Sequence, residues 1–212
     1  MKKMIDVRPL ISSGEINLAR NLVYQDYFIN RNWFPTNNRS GLRIEQVENL
    51  KVFTDDYDKV ATWFGAYLAG EIIGCCRLCK RLNGKFELER YHFLPENIRQ
   101  DIQVNEFNRY ATHEKFTNDP MVFIKLVEFI IEYALQSNIS IFSTTGINSI
   151  ARYKDLGFEQ CDITPFKFSE TDNNYVHIVY TSNEVEKKKE IIKRCAKFIE
   201  SYQQGAIPKN AA

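Results

Sequence analysis

The run Val104-Asn105-Glu106-Phe107-Asn108-Arg109-Tyr110-Ala111-Thr112 constrains this chain more than any other stretch. Strand formers alternate there with polar residues, and the period of two predicts a strand with Glu106, Asn108 and Tyr110 on one face. Phe107 and Ala111, with Arg109, then fall on the opposite face. Asn118-Asp119-Pro120 follows with cap candidates and a first-turn proline, and Met121, Ile124, Val127, Ile130, Ile131 and Ala134 give the next segment a broad apolar face. Residues 139–145 are β-rich again and end at Gly146. A strand, a long helix and another strand in succession point to an α/β layered domain with a mixed sheet. Glu106 beside Asn108 fits either an exposed polar face or the lining of a site.

The flanking sequence supplies further elements. A short strand is predicted over 7–11. Ser12 and Glu15 then carry helix-start chemistry, and Ile16, Ala19, Leu22, Val23 and Tyr27 recur at helical spacing. From Asn30 to Leu50 the pattern is irregular around Trp33, Phe34, Pro35, Asn37, Asn38 and Gly41, with a short helix predicted near 44–50. Residues 60–68 and 71–79 read as strands of a hairpin turning at Ala69-Gly70. Residues 86–93 read as a further strand or extended segment. A short helix over 147–156 is stopped by Gly157. A late strand at 176–181 is expected to pair with 163–168 through the turn-rich Thr171-Asp172-Asn173-Asn174. The expected organisation is a domain over 1–183, an amphipathic helix over 184–204 and a loose tail over 205–212. Docking of that helix on the domain is the simplest reading; a membrane surface or partner is the alternative.

The 212 residues and formal charge of +1 suit one large domain and give no bulk electrostatic argument for nucleic acid. No secretory signal or membrane-length apolar run is readable, so a cytoplasmic protein is expected. Cys76 and Cys79 have C-x-x-C spacing, but no second pair or nearby histidine completes a zinc site, and free buried thiols are the expected state.

The segment Ile150-Ala151-Arg152-Tyr153-Lys154-Asp155-Leu156-Gly157-Phe158-Glu159 resembles the helix-to-strand signature of the GNAT acyltransferase superfamily, with a tyrosine four residues before Gly-Phe. The order of elements from about Val7 to Thr181 is similar too, and implies the GNAT (acyl-CoA N-acyltransferase) fold, a mixed twisted sheet flanked by helices, with an added C-terminal helix. A narrower resemblance is to the N-acyl amino acid synthases and acyl-homoserine-lactone (autoinducer) synthases. Asp55-x-x-Asp58, Gly74-Cys75-Cys76-Arg77-Leu78 and Glu106-Phe107-Asn108-Arg109-Tyr110 carry it, together with Arg20, Tyr24 and Trp33. Asn108 stands where that family has serine, and the Tyr153 segment is closer to the N-acyl amino acid synthases.

The resemblance implies an N-acyltransferase acting on the amine of an amino acid or similar small molecule. It also implies a network of Asp55, Asp58, Arg77, Glu106 and Arg109 that orients the acceptor, with Asn108, Tyr110 and Trp33 as further substrate-binding residues. Acyl transfer from a thioester needs a neutral amine, a stabilised oxyanion and a protonated leaving thiolate. Glu106 is the candidate base, the backbone N–H groups of Tyr110 to Thr112 the candidate oxyanion donors, and Tyr153 the candidate acid. An ion pair of Glu106 with Arg77 or Arg109, and a packing role for Tyr153, are the structural alternatives. Glu106→Gln and Arg77→Ala are expected to remove acylation while leaving folding largely intact.

Coenzyme A enzymes of this fold turn glycine-rich N–H groups onto a pyrophosphate at a helix start. Here no glycine occurs between Gly84 and Gly146, and Glu114 brings a carboxylate to that loop. A fatty acyl carrier protein, presenting a 4'-phosphopantetheine thioester, is therefore the expected donor and partner, with Lys80, Arg81, Lys85, Arg90 and Lys115 as a candidate docking patch. Acyl-CoA is the alternative donor, and no permanently bound cofactor or metal is expected. The competing functions are an acetyl-CoA-dependent N-acetyltransferase, an acyl-homoserine-lactone synthase and a catalytically silent binding module. An apolar slot between the arms of the sheet is expected to hold the acyl chain.

Overall fold

Local signals account for most elements of the computed structural model, which describes residues 4–33, 38–168, 172 and 174–205. After β1 (Asp6–Pro9), helix α1 (Ser13–Val23) opens on a capping box: Ser12 Oγ accepts the Glu15 N–H at 3.2 Å and Glu15 Oε2 accepts the Ser12 N–H at 3.3 Å. α1 widens directly into a π-helical turn, Tyr24–Asn30. The hairpin of β4 (Ala61–Leu68) and β5 (Glu71–Cys79) turns at Ala69-Gly70, both at positive φ (54° and 87°), which matches the twist of the strands it joins. After α2 (Glu96–Gln100) and β6 (Val104–Thr112), α3 (Pro120–Gln136) starts with Pro120 at its first turn. β7 (Ser140–Gly146) leads to α4 (Ile147–Leu156), which ends where Gly157 takes φ 102°. β8 (Glu159–Gln160), β9 (Val176–Thr181) and α5 (Val185–Gln203) complete the described chain.

Three expectations are corrected. The segment near 44–50 is not a helix: β2 (Arg43–Val47) and β3 (Leu50–Thr54) form a separate antiparallel hairpin, because Val52 and Phe53 are buried and tertiary burial overrides the helix preference of Glu45, Gln46 and Glu48. Residues 86–93 make a helical turn, Leu88–Arg90, rather than a strand, since Glu106 draws the Glu87 and Leu88 N–H groups inward. β9 pairs with β7 and β8, and the 163–168 segment meets it only through a Phe166–Val176 bridge. Thr171 and Asn173 of the expected turn, Phe34, Pro35 and Asn37 of the irregular stretch, and all of the tail after Gly205 lie outside the described residues.

The seven-stranded sheet has the order β1-β4-β5-β6-β7-β9-β8, antiparallel except for the β6–β7 pair. α1 covers one face, packing Ala19, Leu22 and Val23 with Trp63, Cys75 and Ala111. α3 and α5 cover the other, where Val122, Leu126, Ile130, Ile191, Cys195 and Ile199 join Cys76, Leu78 and Phe107 in one core. Cys76 and Cys79, three apart on a strand, point to opposite faces, so their spacing cannot close around one metal. Lys188 of α5 is fully buried and donates to Asn183 at 2.6 Å and to the Ala134 carbonyl in the last turn of α3 at 3.2 Å, an oxygen that also accepts the Ile139 N–H at 3.0 Å. Among the described residues no helix is long and apolar enough to cross a membrane.

α3 sits so close to β5 that a Cβ on Gly74 would run into Val122 Cγ1. Gly74→Ala is therefore expected to destabilise the fold by ~1–3 kcal/mol through overpacking, measured by denaturant unfolding.

Candidate active site

β6 and β7 pair only from Val104–Ser140 to Phe107–Ser143, after which no pairing continues and the two strands part. A second irregularity falls at the same level. The β5–β6 register shifts between Cys75 and Arg77, and Arg109 takes φ 53°, an energetically unfavourable value for a residue with a side chain. This bulge breaks the period of two. Before it, Glu106 and Asn108 share a face as expected. At it, Arg109 turns to the Asn108 side instead of the opposite one; after it, Tyr110 stacks edge-on against Phe123 of α3 at 5.3 Å, whereas Ala111 joins the α1 core. The expected faces of Arg109, Tyr110 and Ala111 are thus corrected.

The bulge brings Arg109 into a buried ion network with Arg77. Arg77 gives Nε to Asn108 at 2.8 Å, Nη1 to Asp55 at 2.9 Å and Asp58 at 2.7 Å, and Nη2 to Asp55 at 2.7 Å and Glu87 at 3.1 Å. All five N–H donors of this guanidinium are used. Arg109 Nη2 donates to Asp55 at 2.7 Å and to Glu87 Oε1, and Arg20 Nε lies 3.2 Å from Asp58. Burial alone would raise Asp55, but Arg77 and Arg109 hold it well below the usual carboxylate range. Glu87 is the network member that sequence reasoning missed; it lies in a segment read as extended, and its only hint was that Arg77 and Arg109 needed more acceptors.

Three guanidiniums, Arg20, Arg77 and Arg109, therefore face three carboxylates, Asp55, Asp58 and Glu87. Among the described residues Glu106 is left without an ion-pair partner. It makes no ion pair with Arg77 or Arg109, contrary to the structural alternative; its Oε2 accepts the Glu87 N–H at 2.9 Å and the Leu88 N–H at 3.4 Å. Burial and the neighbouring Glu87 charge push its pKa up to about 8.

A cavity of about 580 Å³ opens where the strands part, within the range of small-molecule sites. Glu87, Glu106, Asn108, Arg109 and Tyr110 form one wall, Tyr27, Arg31 and Trp33 another, and Ser143 to Gly146 with Ser149, Arg152 and Tyr153 a third. Trp33 stands edge-on to Tyr27 at 5.5 Å. Of the expected site residues, Glu106, Asn108, Arg109, Tyr110, Tyr153 and Trp33 reach this space. Asp55, Asp58 and Arg77 do not: they lie behind the Asn108–Arg109 wall with their bonding capacity spent on each other, and act on the cavity by positioning those two side chains.

Tyr153 is buried between Phe123 and Phe158, with ring centroids 5.3 Å and 5.2 Å away, and burial raises its pKa. Of the expected oxyanion donors, Thr112 is already engaged, its N–H donating to Asp26 at 3.3 Å, and the Tyr27 hydroxyl donates to the Tyr110 carbonyl at 3.0 Å. Asp26 is in turn held by Arg31 at 2.9 Å and 2.6 Å. Asp26 and Tyr27 come from the π-helical turn, an element with no sequence signature.

An apolar pocket between Phe107, Val127, Ile130, Ile131, Ile141 and Phe158 adjoins Tyr153, but at about 10 Å³ it has room for no more than one water. The expected acyl slot is not preformed there. The candidate docking patch is also divided: the β5–β6 register sets Cys79 beside Glu106 and Gly74 beside Thr112, so Lys80, Arg81 and Lys85 lie at one end of β6 and Lys115 at the other. At the start of α3 the carboxylate is Asp119 rather than Glu114; its Oδ1 accepts the Met121 N–H at 2.9 Å and the Tyr202 hydroxyl of α5 at 3.2 Å.

No family's sequence profile matches this chain, and neither does any curated protein. Solved structures do match. FeeM, an N-acyl amino acid synthase from uncultured soil microbes, superposes with a TM-score of 0.63 at 15% identity over 92% of this chain and 99% of its own. BjaI, a CoA-dependent acyl-homoserine lactone synthase, gives 0.66 at 14% identity over 92% and 90%. An acyl-CoA N-acyltransferase from Pseudomonas aeruginosa gives 0.55 at 10% identity over 84% and 100%. The likeness is one of fold, and it bears out the fold expected from the resemblance.

Proposed function

We propose that this chain is an N-acyltransferase that moves an acyl group from a pantetheine thioester to the amine of an amino acid or similar small molecule. The observation that carries this reading is the parting of β6 from β7 beside a buried carboxyl group left out of a charge-balanced network. The gap admits an extended thioester arm, and the cavity beside it admits an amine. Glu106, with a pKa near 8, is matched to the proton it must take from an ammonium or from the tetrahedral adduct. Tyr153, kept protonated by burial, donates to the departing thiolate. N–H groups in the bulged segment ahead of Thr112 are the remaining candidates for the oxyanion.

An acyl carrier protein is the favoured donor. Pro120 removes one N–H from the start of α3, and the Asp119 carboxylate, fixed by Met121 and Tyr202, occupies another where a coenzyme A pyrophosphate would need free donors. The fold match to a CoA-dependent synthase supports acyl-CoA as the second reading. Steady-state turnover with long-chain acyl carrier protein is expected to exceed that with long-chain acyl-CoA and with acetyl-CoA. A preference for either coenzyme A thioester would overturn the donor assignment, and failure to form product with any donor would favour a silent binding module.

A further inference from the structure

The cations on the cavity wall are not equivalent. Arg109 is committed to Asp55 and Glu87, and Arg31 to Asp26. Arg152 of α4 has no carboxylate partner among the described residues; its guanidinium lies over the Phe123 ring, 5.7 Å from the centroid. It is half-buried at the cavity, and Ser149, one turn earlier on the same helix face, lines the cavity with it. Lying over a ring at the cavity wall, this guanidinium faces the cavity, and its planar fork matches a carboxylate in two parallel hydrogen bonds. Its location fits the reacting end of the cavity. Tyr110 on β6 and Tyr153 on α4 both pack edge-on against the Phe123 ring that Arg152 covers, at 5.3 Å each, and all three polar residues line the cavity, so the guanidinium sits where the two sides of the gap meet.

We infer that Arg152, assisted by the Ser149 hydroxyl, holds the carboxylate of the acceptor, so that the preferred acceptors are amino acids rather than simple amines. This inference rests on the acyl-transfer reading and adds the group that selects the acceptor. It also divides the labour within the cavity: the network fixed by Arg77 shapes the base side, and α4 supplies the charge that binds substrate.

The test compares the wild-type protein with Arg152→Gln and Arg152→Lys, offering each of the twenty amino acids and its amide together with palmitoyl carrier protein and palmitoyl-CoA. Loss of a hydrogen-bonded charge pair is expected to raise KM for the preferred amino acid roughly 10- to 100-fold in Arg152→Gln, with Arg152→Lys intermediate. The donor KM should change by no more than about 3-fold, and the acid should lose more than its amide. Thermal melting checks that both variants fold; among the described residues the side chain has no carboxylate partner to lose. An unchanged preference for acid over amide in Arg152→Gln, a wild-type enzyme without that preference, or a rise in donor KM in place of acceptor KM overturns the inference alone. A wild-type protein that acylates no amine overturns the acyl-transfer reading and the inference together.

Discussion

Arg77→Ala is expected to cost ~3–5 kcal/mol, enough to leave the chain unfolded or near its limit at room temperature. The reason is the fate of what remains. Asp55 is buried and loses both bonds of its bidentate pair, while Asp58, Glu87 and Asn108 each lose a donor in the same protein interior. Breaking a buried pair by removing one partner leaves an uncompensated charge, and here three carboxylates would share the two guanidiniums of Arg20 and Arg109. This reverses the expectation, drawn from sequence alone, that Arg77→Ala removes acylation and spares the fold. Denaturant unfolding followed by circular dichroism distinguishes the two: a midpoint within the error of wild type would mean that the network contributes little to stability.

Glu106→Gln is expected to do the opposite, abolishing most turnover while leaving the protein folded. Loss of a general base costs about 10²- to 10⁴-fold, whereas an amide of the same shape can still accept the Glu87 and Leu88 N–H groups. The pH dependence sharpens this. Because the folded-state pKa of about 8 lies above the ordinary value of 4.5, the folded protein holds a proton that the unfolded chain releases. Its stabilising contribution is complete below about pH 4.5 and is lost as pH rises through about 8. Wild-type stability should therefore decline across that window, and the decline should be smaller in Glu106→Gln. Activity should run the other way in the wild type, climbing through about pH 8 as the base ionises, and the variant should lack that limb. Equal turnover by Glu106→Gln would remove Glu106 from the chemistry.

The parts of this architecture that were legible from sequence are those set by local stereochemistry. Ser12 with Glu15, Ala69-Gly70, Asp119-Pro120 and Gly157 each demand a particular backbone, and each element they bound lies where their spacing put it. The site was legible as a set of residues but not as an arrangement. Nothing in Asn108-Arg109-Tyr110 announces a bulge, since Arg109 reaches positive φ without glycine, asparagine or aspartate to signal it. The bulge nevertheless decides which side chains see the cavity. Glu87 escaped notice because its role depends on contacts with Arg77 and Arg109, 10 and 22 positions away in the chain. Asp26 and Tyr27 escaped for the same reason, their partners on β6 being more than 80 residues distant.

The engagement of β6 by the π-helical turn also bears on how this sheet meets other chains. A strand deserted by its neighbour in mid-sheet presents main-chain groups of the kind that recruit foreign chains and seed aggregates. With the Thr112 N–H capped by Asp26 and the Tyr110 carbonyl by Tyr27, the inner margin of β6 carries two side-chain stoppers. The fold can thus keep a permanent fissure in its sheet with these two main-chain groups already answered.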